Sequence, residues 1–193
     1  MTIQAIIFDC DGTLADTMPL HFAAWTEISA QFNVELSEQN FYAWGGQPTR
    51  MVAERLVKQS GSSSSVEDIA LAKEQAFERM IHDVEPIEPI ATIVRENFGR
   101  IPLAVASGAV RRICVKILEH INLLDCFNTI VTSEDVAAQK PDPEIFLQAA
   151  DRLRVDRRHC LVYEDADLGI EAARNAGMQW IDIRQLLADN GKA

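Results

Sequence analysis

The chain has 193 residues, of which 48% are hydrophobic and 24% are charged, and its formal net charge at pH 7 is −11. This composition is ordinary for a globular protein, and the length is sufficient for one sizeable core with a smaller appended unit. The acidic balance argues against nucleic acid or an anionic membrane surface as a partner. An anionic small substrate would therefore need a metal ion or a few placed cations at its binding site.

The cysteines and the N-terminus predict a cytoplasmic protein. The four cysteines show neither CxxC spacing nor a zinc-binding pattern, and Cys114, Cys126 and Cys160 lie in apolar surroundings, as free core cysteines do. The N-terminus lacks the basic region of a signal peptide, and no apolar run approaches the roughly 18 residues that span a membrane. We expect no membrane partner, and nothing in the sequence requires more than a monomer.

The first motif is DCDGT at residues 9–13, which follows the apolar run from Ala5 to Phe8. Such a run closed by a glycine predicts a buried strand of a parallel sheet. Ligands of open α/β sheets bind beyond the carboxyl ends of the strands, so Asp9 and Asp11 are candidates for chemistry. Asp and Gly are also common in turns, so the pair alone does not decide between a site and a turn.

Residues 18–82 predict three or four helices and no strand. Apolar residues recur every three or four positions from Phe22 to Phe32, which is the period of a helix packed on one face. Thr49 is expected to cap a second helix, and Ser65 with Asp68 resembles a capping box that opens a third. The serine-rich tract at 60–65 predicts a flexible loop.

Strands alternate with helices from residue 86 onward. Strands are predicted at 102–106, 129–132, 160–163 and 180–183, with helices at 90–98, 110–120, 143–153 and 167–176. This alternation predicts right-handed βαβ units and a parallel sheet. The fold class is therefore α/β, a Rossmann-like parallel sheet core (1–16 and 84–193) with a helical cap domain (17–83) inserted after the first strand.

Polar side chains follow four of the predicted strands, at Asp9 with Asp11, at Ser107, at Lys140, and at Glu164 with Asp165. The carboxyl ends of parallel strands share one edge of a sheet, so these groups should converge. Each has an ordinary explanation when it is taken alone, as a helix cap, a surface lysine or an acidic turn. Together, and in this order, they fit phosphoryl transfer.

Phosphoryl transfer requires an in-line nucleophile, neutralisation of phosphoryl charge and a proton for the leaving group. A carboxylate can be the nucleophile, and Mg²⁺ prefers one or two carboxylates, which suits Asp9 with Asp165. Lys140 supplies a compact positive charge. Ser107 and the N–H groups at the following helix start can hold a phosphate oxygen, and Asp11 is the candidate general acid and base.

Four segments resemble the motifs of the haloacid dehalogenase superfamily: DCDGT at 9–13, Ser107 within VASG, KPDP at 140–143 and YEDADLGIEAARNAGM at 163–178. The resemblance covers essentially the whole chain. A helical insertion directly after the first motif, together with DGTLADTMPLHFAAW at 11–25, is similar to the subgroup that contains β-phosphoglucomutase and small sugar-phosphate phosphatases.

The resemblance implies a role for each matching residue. Asp9 would be the nucleophile and Asp11 the acid and base, with Thr13, Ser107 and Lys140 at the phosphate. The implied Mg²⁺ ligands are the carboxylates of Asp9 and Asp165 and the backbone carbonyl of Asp11, with Glu164 as a neighbouring or alternative ligand. Gly108, which follows Ser107, is included among the substrate-binding candidates.

The resemblance favours a phosphatase over a mutase. The mutase pattern places further Ser and Asn residues after the Ser of the second motif, whereas this chain has Ala109 and Arg111 there. The segments GGQPTR at 45–50 and EDADLGIEAARNAGM at 164–178 resemble fructose-1-phosphate and 6-phosphogluconate phosphatases. The sequence therefore predicts a Mg²⁺-dependent phosphatase of small sugar phosphates, such as fructose 1-phosphate or 6-phosphogluconate, that acts through an aspartyl phosphate. A β-phosphoglucomutase-type mutase is the alternative.

Two further classes remain as rivals. A signalling receiver domain also clusters acids, a Ser or Thr and a Lys on a parallel sheet, but Asp11 and the long helical insertion argue against it. A catalytically silent sugar-phosphate binder would not need the full set of catalytic groups.

Three residues of the insertion are candidates for contact with the substrate. Arg50 would meet its distal end, with a surface arginine as the equally simple explanation; Lys73 is a second candidate; and His21 would contact Asp11 or substrate, or simply pack at the domain junction. We expect the cap to close over the site and expel water.

Overall fold

A five-stranded parallel sheet forms the centre of the computed structural model, which describes residues 2–190 and their side chains up to residue 188. The strand order is β3-β2-β1-β4-β5, all pairs being parallel. The strands are β1 (Ala5–Phe8), β2 (Leu103–Ser107), β3 (Thr129–Thr132), β4 (Cys160–Glu164) and β5 (Gln179–Asp182). The predicted α/β class with a Rossmann-like parallel sheet is confirmed.

Four helices follow β1 within residues 17–83: α1 (Met18–Phe32), α2 (Glu38–Ala43), α3 (Thr49–Ser60) and α4 (Val66–Glu78). The later helices are α5 (Glu88–Asn97), α6 (Arg111–His120), α7 (Glu144–Leu153), α8 (Asp167–Asn175) and α9 (Ile183–Asn190). The helical insertion has the element content that the sequence predicts, while the domain boundaries at 16/17 and 83/84 stay predictions. None of the helices within residues 2–190 combines the length and apolarity needed to cross a membrane.

The central strand, β1, positions the site. It pairs with β2 on one side and β4 on the other, so all four of its residues are buried. Ile6 and Phe8 pack into one hydrophobic cluster and Ala5 and Ile7 into the other, because successive side chains of a strand point to opposite faces. Phe8 is in register with Val105 of β2 and Tyr163 of β4, so the three strands end at one edge.

The helices of the insertion share an apolar core that stabilises them together. Trp25 and Ile28 of α1, Leu56 of α3, and Ile69 and Phe77 of α4 are all at most 3% exposed. Short amphipathic helices are marginal alone and gain most of their stability from such packing. This packing fixes the inward faces of α1 and α4 opposite the carboxyl ends of the strands.

The structure corrects three details of the sequence prediction. Thr49 does not cap α3, because Pro48 occupies the N-cap position and the Thr49 hydroxyl donates a hydrogen bond to Glu74 instead. The final helix α9 was not predicted, and β5 begins at Gln179, one residue earlier than expected. The prediction for Ser65 is confirmed, since its hydroxyl accepts a hydrogen bond from the Asp68 N–H at 3.0 Å.

Candidate active site

A buried lysine joins two carboxylates where β1 and β4 end. Lys140 Nζ donates to Asp9 Oδ1 at 2.7 Å and to Glu164 Oε2 at 3.2 Å, and the three side chains are almost fully buried. The Asp9 N–H donates to the Tyr163 carbonyl at 3.0 Å, which continues the β1–β4 pairing by one residue. Burial alone would lower the pKa of Lys140, but the charges of Asp9 and Glu164 outweigh it and raise that pKa. Lys140 is therefore a fixed positive charge.

Three carboxylates converge around this lysine. Asp9, Glu164 and Asp165 each offer one oxygen, and these oxygens lie within 4.8 Å of one another. Thr13 donates its hydroxyl hydrogen to Asp165 Oδ1 at 2.8 Å. Burial raises the pKa of all three acids, that of Glu164 to about 7. Two buried acids and the partly buried Asp165 against one lysine leave excess negative charge, which a divalent cation would neutralise.

Two glycines leave room for these carboxylates. Gly12 has φ +83°, and a Cβ at this residue would lie 2.4 Å from Asp165 Oδ2. A Cβ at Gly169 would lie 2.1 Å from Glu164 Oε1, where α8 begins against the end of β4. No carbon atom fits at such distances. The positions of Glu164 and Asp165 therefore depend on the absence of a side chain at both sites.

We expect Gly169→Ala to lower kcat/KM for phosphate release by about 10- to 100-fold, because the added methyl group must displace the Glu164 carboxylate from Lys140. Steady-state phosphate release across a Mg²⁺ titration measures this loss. Glu171→Ala, at an exposed residue of the same helix α8, is the control. Unchanged kinetics in Gly169→Ala would show that the position of Glu164 is not needed.

Asp11 is held by groups from the insertion. Its Oδ1 accepts a hydrogen bond from the Thr17 hydroxyl at 2.8 Å and lies 2.9 Å from His21 Nε2. Ser107 Oγ lies 3.4 Å from Asp11 Oδ2. Burial would raise the pKa of Asp11, but its contacts with His21 and Thr17 outweigh burial and lower the pKa to about 2. Asp11 is therefore ionised in the unliganded protein.

The contacts of His21 determine which of its nitrogens carries the proton. Lys73 Nζ lies 2.8 Å from Nδ1, and an ammonium group can only donate, so Nδ1 accepts and Nε2–H donates to Asp11. Burial, followed by the nearby charge of Lys73, lowers the pKa of His21, which fits a neutral ring. The ring also stacks on Phe77 with 3.8 Å between centroids. His21 therefore links Asp11 to the helical insertion.

A cavity separates the edge of the sheet from the inward faces of the insertion. Asp9, Asp11, Gly108 and Ala109 line its sheet side. Its helical side carries an apolar wall formed by Trp25, Phe41 and Trp44, and a polar group formed by Gln47, Thr49, Lys73 and Glu74. A Cβ at Gly108 would lie 2.8 Å from the Gly46 carbonyl oxygen, so the two sides of the cavity meet there.

The polar group of the helical side is internally paired. Lys73 Nζ donates to Thr49 Oγ1 at 3.3 Å and lies 3.7 Å from Glu74 Oε1, and Thr49 in turn donates to Glu74. Lys73 and Glu74 are both buried, at 3% and 9% exposed. Burial lowers the pKa of Lys73, although the charges of Glu74 and Asp11 oppose this effect.

The structure brings most of the predicted site residues together: Asp9, Asp11, Thr13, His21, Lys73, Ser107, Gly108, Lys140, Glu164 and Asp165. Arg50 is placed elsewhere. Its guanidinium is largely exposed, pairs with Glu54 at 2.7 Å and Glu67 at 3.2 Å, and does not line the cavity. Likewise, Arg111 does not line the cavity but pairs with Asp135 beside β3.

Sequence reasoning did not identify Thr17, Gln47 or Glu74 as site residues, nor the true role of Thr49. A signal for this part of the site was present in α4. Lys73 lies four residues after Ile69 and four before Phe77, so it shares the buried face of that helix. A lysine and its neighbouring glutamate on an otherwise apolar face indicate a buried pair.

Comparisons with known proteins agree with this geometry. A family model described as haloacid dehalogenase-like hydrolase matches residues 6–183. Fructose-1-phosphate phosphatase YqaB of Escherichia coli is 37% identical over 182 residues, covering 94% of this chain and 96% of the relative. β-Phosphoglucomutase of Bacillus subtilis is 30% identical over 205 residues, covering 95% and 84%.

Solved structures show the same fold. CbbY from Rhodobacter sphaeroides, crystallised in complex with phosphate, superimposes with a TM-score of 0.83 at 26% identity, covering 93% of this chain and 85% of the other. β-Phosphoglucomutase from Clostridium difficile gives a TM-score of 0.81 at 26% identity, covering 93% and 83%.

A parallel sheet whose carboxyl edge carries paired acids and a buried lysine fits an α/β enzyme of phosphoryl transfer, and the comparisons place it among hydrolases. The chain belongs to the haloacid dehalogenase-like hydrolase family. The predicted family, with its β-phosphoglucomutase-like subgroup, and the predicted enzyme class of phosphatase are confirmed.

Proposed function

We propose that this phosphatase hydrolyses small sugar phosphates, such as fructose 1-phosphate, with Mg²⁺ and through an aspartyl phosphate on Asp9. The observation that carries the proposal is the meeting of Asp9, Asp11, Lys140 and Asp165 at one edge of the sheet. The substrate class is supported by the similarity to fructose-1-phosphate phosphatase YqaB.

Asp9 is suited to nucleophilic attack. It lines the cavity, and Lys140 occupies only its Oδ1. Attack by Oδ2 on phosphorus forms the Asp9–phosphorus bond and breaks the bond to the sugar oxygen. Lys140 balances the charge of carboxylate and phosphoryl group, while the Ser107 hydroxyl can hold a phosphoryl oxygen.

Asp11 is suited to moving the protons of both steps. It is ionised in the free protein, and an anionic phosphoryl group beside it raises its pKa, which favours uptake of the proton that the leaving group needs. That proton goes to the departing sugar oxygen. The resulting carboxylate then takes a proton from the water that attacks the aspartyl phosphate, which restores Asp9 and releases phosphate.

The residues present fit Mg²⁺. Asp9, Asp165 and Glu164 supply hard oxygen ligands, and their excess negative charge requires a cation. When bound, Mg²⁺ would withdraw charge from the phosphoryl oxygens and orient the group. Thr13 holds Asp165, and Lys140 holds Asp9 and Glu164, so the carboxylates are oriented by the chain itself.

The rival function is a β-phosphoglucomutase-type isomerisation, to which the B. subtilis relative points. A mutase must bind a second phosphate while the first is exchanged. Ala109 contributes a methyl group at the cavity where a hydrogen-bonding side chain would be needed, and Arg111 is paired with Asp135. These observations favour hydrolysis.

A phosphate-release panel over hexose phosphates, with and without Mg²⁺, tests the proposal. We expect turnover with Mg²⁺ and its loss with a chelator, restored by added Mg²⁺. From β-glucose 1-phosphate, we expect free phosphate to exceed glucose 6-phosphate. No phosphate from any sugar phosphate, or predominant isomerisation, would contradict the proposal.

A further inference from the structure

The helical side of the cavity is poorly suited to bind a second anionic group of a substrate. Of the described residues that line the cavity, Lys73 is the only lysine or arginine. Arg50, the other basic residue of the insertion that the sequence suggested as a substrate contact, is engaged by Glu54 and Glu67 on the surface. A substrate with a second phosphate or a carboxylate at its far end would therefore depend on Lys73.

Lys73 is already engaged by groups of the protein. An ammonium group has three donors. Two of them are directed to His21 Nδ1 at 2.8 Å and Thr49 Oγ1 at 3.3 Å, and the Glu74 carboxylate lies at ion-pair distance, with Oε1 3.7 Å from Nζ. The side chain is only 3% exposed, and the rings of Trp25 and Phe77 lie 6.0 and 5.2 Å from Nζ. The positive charge of Lys73 is therefore balanced by groups within the protein.

The helical side of the cavity offers hydrogen-bond acceptors to a substrate. Glu74 lines the cavity, and within residues 2–188 its Oε2 accepts no hydrogen bond, since the Thr49 and Lys73 contacts are made by Oε1. Gln47 Oε1 is also at the cavity, buried and without a hydrogen-bond partner among the described residues. Carboxylate and amide oxygens accept hydrogen bonds, and sugar hydroxyl groups donate them.

From this geometry we infer that Glu74 is a specificity-determining residue, which accepts hydrogen bonds from the neutral hydroxyl-bearing end of a polyol or sugar monophosphate and rejects substrates that carry a second anion there. The inference rests on the proposed function and narrows its substrate class. It predicts that bisphosphates and phosphorylated sugar acids are poor substrates, because their far end would meet the Glu74 carboxylate while Lys73 is already engaged. The inference therefore differs from the sequence resemblance with respect to 6-phosphogluconate.

Two substrates of equal chain length test the inference. Glucitol 6-phosphate and 6-phosphogluconate differ only in a terminal CH₂OH against a carboxylate. For the unaltered enzyme with Mg²⁺, we expect kcat/KM to favour glucitol 6-phosphate by about tenfold or more, mainly through a lower KM, as like-charge repulsion within a few ångströms requires. Equal or reversed preference would overturn the inference.

Glu74→Gln removes the charge and keeps an acceptor for the Thr49 hydroxyl. We expect it to shrink the preference for glucitol 6-phosphate by about tenfold. Glu67→Gln is the matched control, since Glu67 lies on the same helix and is exposed, and it should change the preference by less than about twofold. If Glu74→Gln and Glu67→Gln change the preference for glucitol 6-phosphate to the same extent, the inference is overturned.

The outcome separates the inference from the proposed function. Phosphate release from glucitol 6-phosphate with no discrimination by charge contradicts the role of Glu74 alone. No phosphate release from either substrate, or from the wider panel of sugar phosphates, contradicts the proposed function and with it the inference. If Glu74→Gln fails to fold, the preference of the unaltered enzyme still decides.

Discussion

Asp9→Asn is expected to lower kcat for phosphate release by roughly 10⁴-fold or more, the scale of loss when a nucleophile is removed. The amide has nearly the shape of the carboxylate and can still accept the Lys140 hydrogen bond at Oδ1. It cannot attack phosphorus. The variant should therefore bind substrate in an intact fold and fail to turn it over.

The stability of Asp9→Asn should remain close to that of the unaltered protein. Burial, and then the charge of Glu164, raise the pKa of Asp9, so the ionised carboxylate is not held there for stability. Thermal unfolding measures this, and Asp151→Asn, a substitution at an exposed residue of α7, is the matched control for both activity and folding. A kcat within about tenfold of the unaltered enzyme would exclude Asp9 as the nucleophile.

Lys140→Met should reduce both activity and stability. Removing the lysine leaves Asp9 and Glu164 buried beside each other without a counter-charge. We expect the free energy of unfolding at neutral pH to fall by about 3–5 kcal/mol, as when one partner of a buried ion pair is removed. We expect kcat to fall by about 10²–10³-fold, because phosphoryl charge is no longer neutralised.

Urea unfolding without Mg²⁺ measures the loss of stability in Lys140→Met. The double variant Lys140→Met with Asp9→Asn should recover part of that loss, since one of the two uncompensated carboxylates is gone. Lys116→Met is the control, because Lys116 pairs with Glu78 on the surface and should cost less than about 1 kcal/mol. A small loss in Lys140→Met, or no recovery in the double variant, would contradict this account of Lys140.

The sheet and its catalytic edge could be predicted because their sequence signals are local. A buried parallel strand is a short apolar run, and the polar residues that follow it lie at the binding edge whatever the rest of the fold does. Asp9, Ser107 and Glu164 follow this rule. The pairing of Asp9 and Glu164 with Lys140 requires in addition that the loop after β3 brings Lys140 to the same edge.

The helical side of the site was harder to predict because its contacts depend on how separate helices pack. Thr49, at the start of α3, suggested an N-cap, yet its hydroxyl is used by Glu74 of α4, which lies 25 residues away. Arg50 is the next residue on α3, and one step along a helix turns a side chain by about 100°, so it faces solvent. The sequence shows the period of a helix, but it does not show which of two adjacent polar residues faces the cavity.

The stereochemistry at phosphorus tests most directly whether hydrolysis proceeds through a covalent bond to Asp9. The substrate is a sugar thiophosphate made chiral with ¹⁸O, hydrolysed in water enriched in ¹⁷O, and the configuration of the released thiophosphate is determined. Two in-line displacements, first by Asp9 and then by water, predict overall retention of configuration. Inversion would mean that water attacks the substrate directly, and would contradict the proposed intermediate.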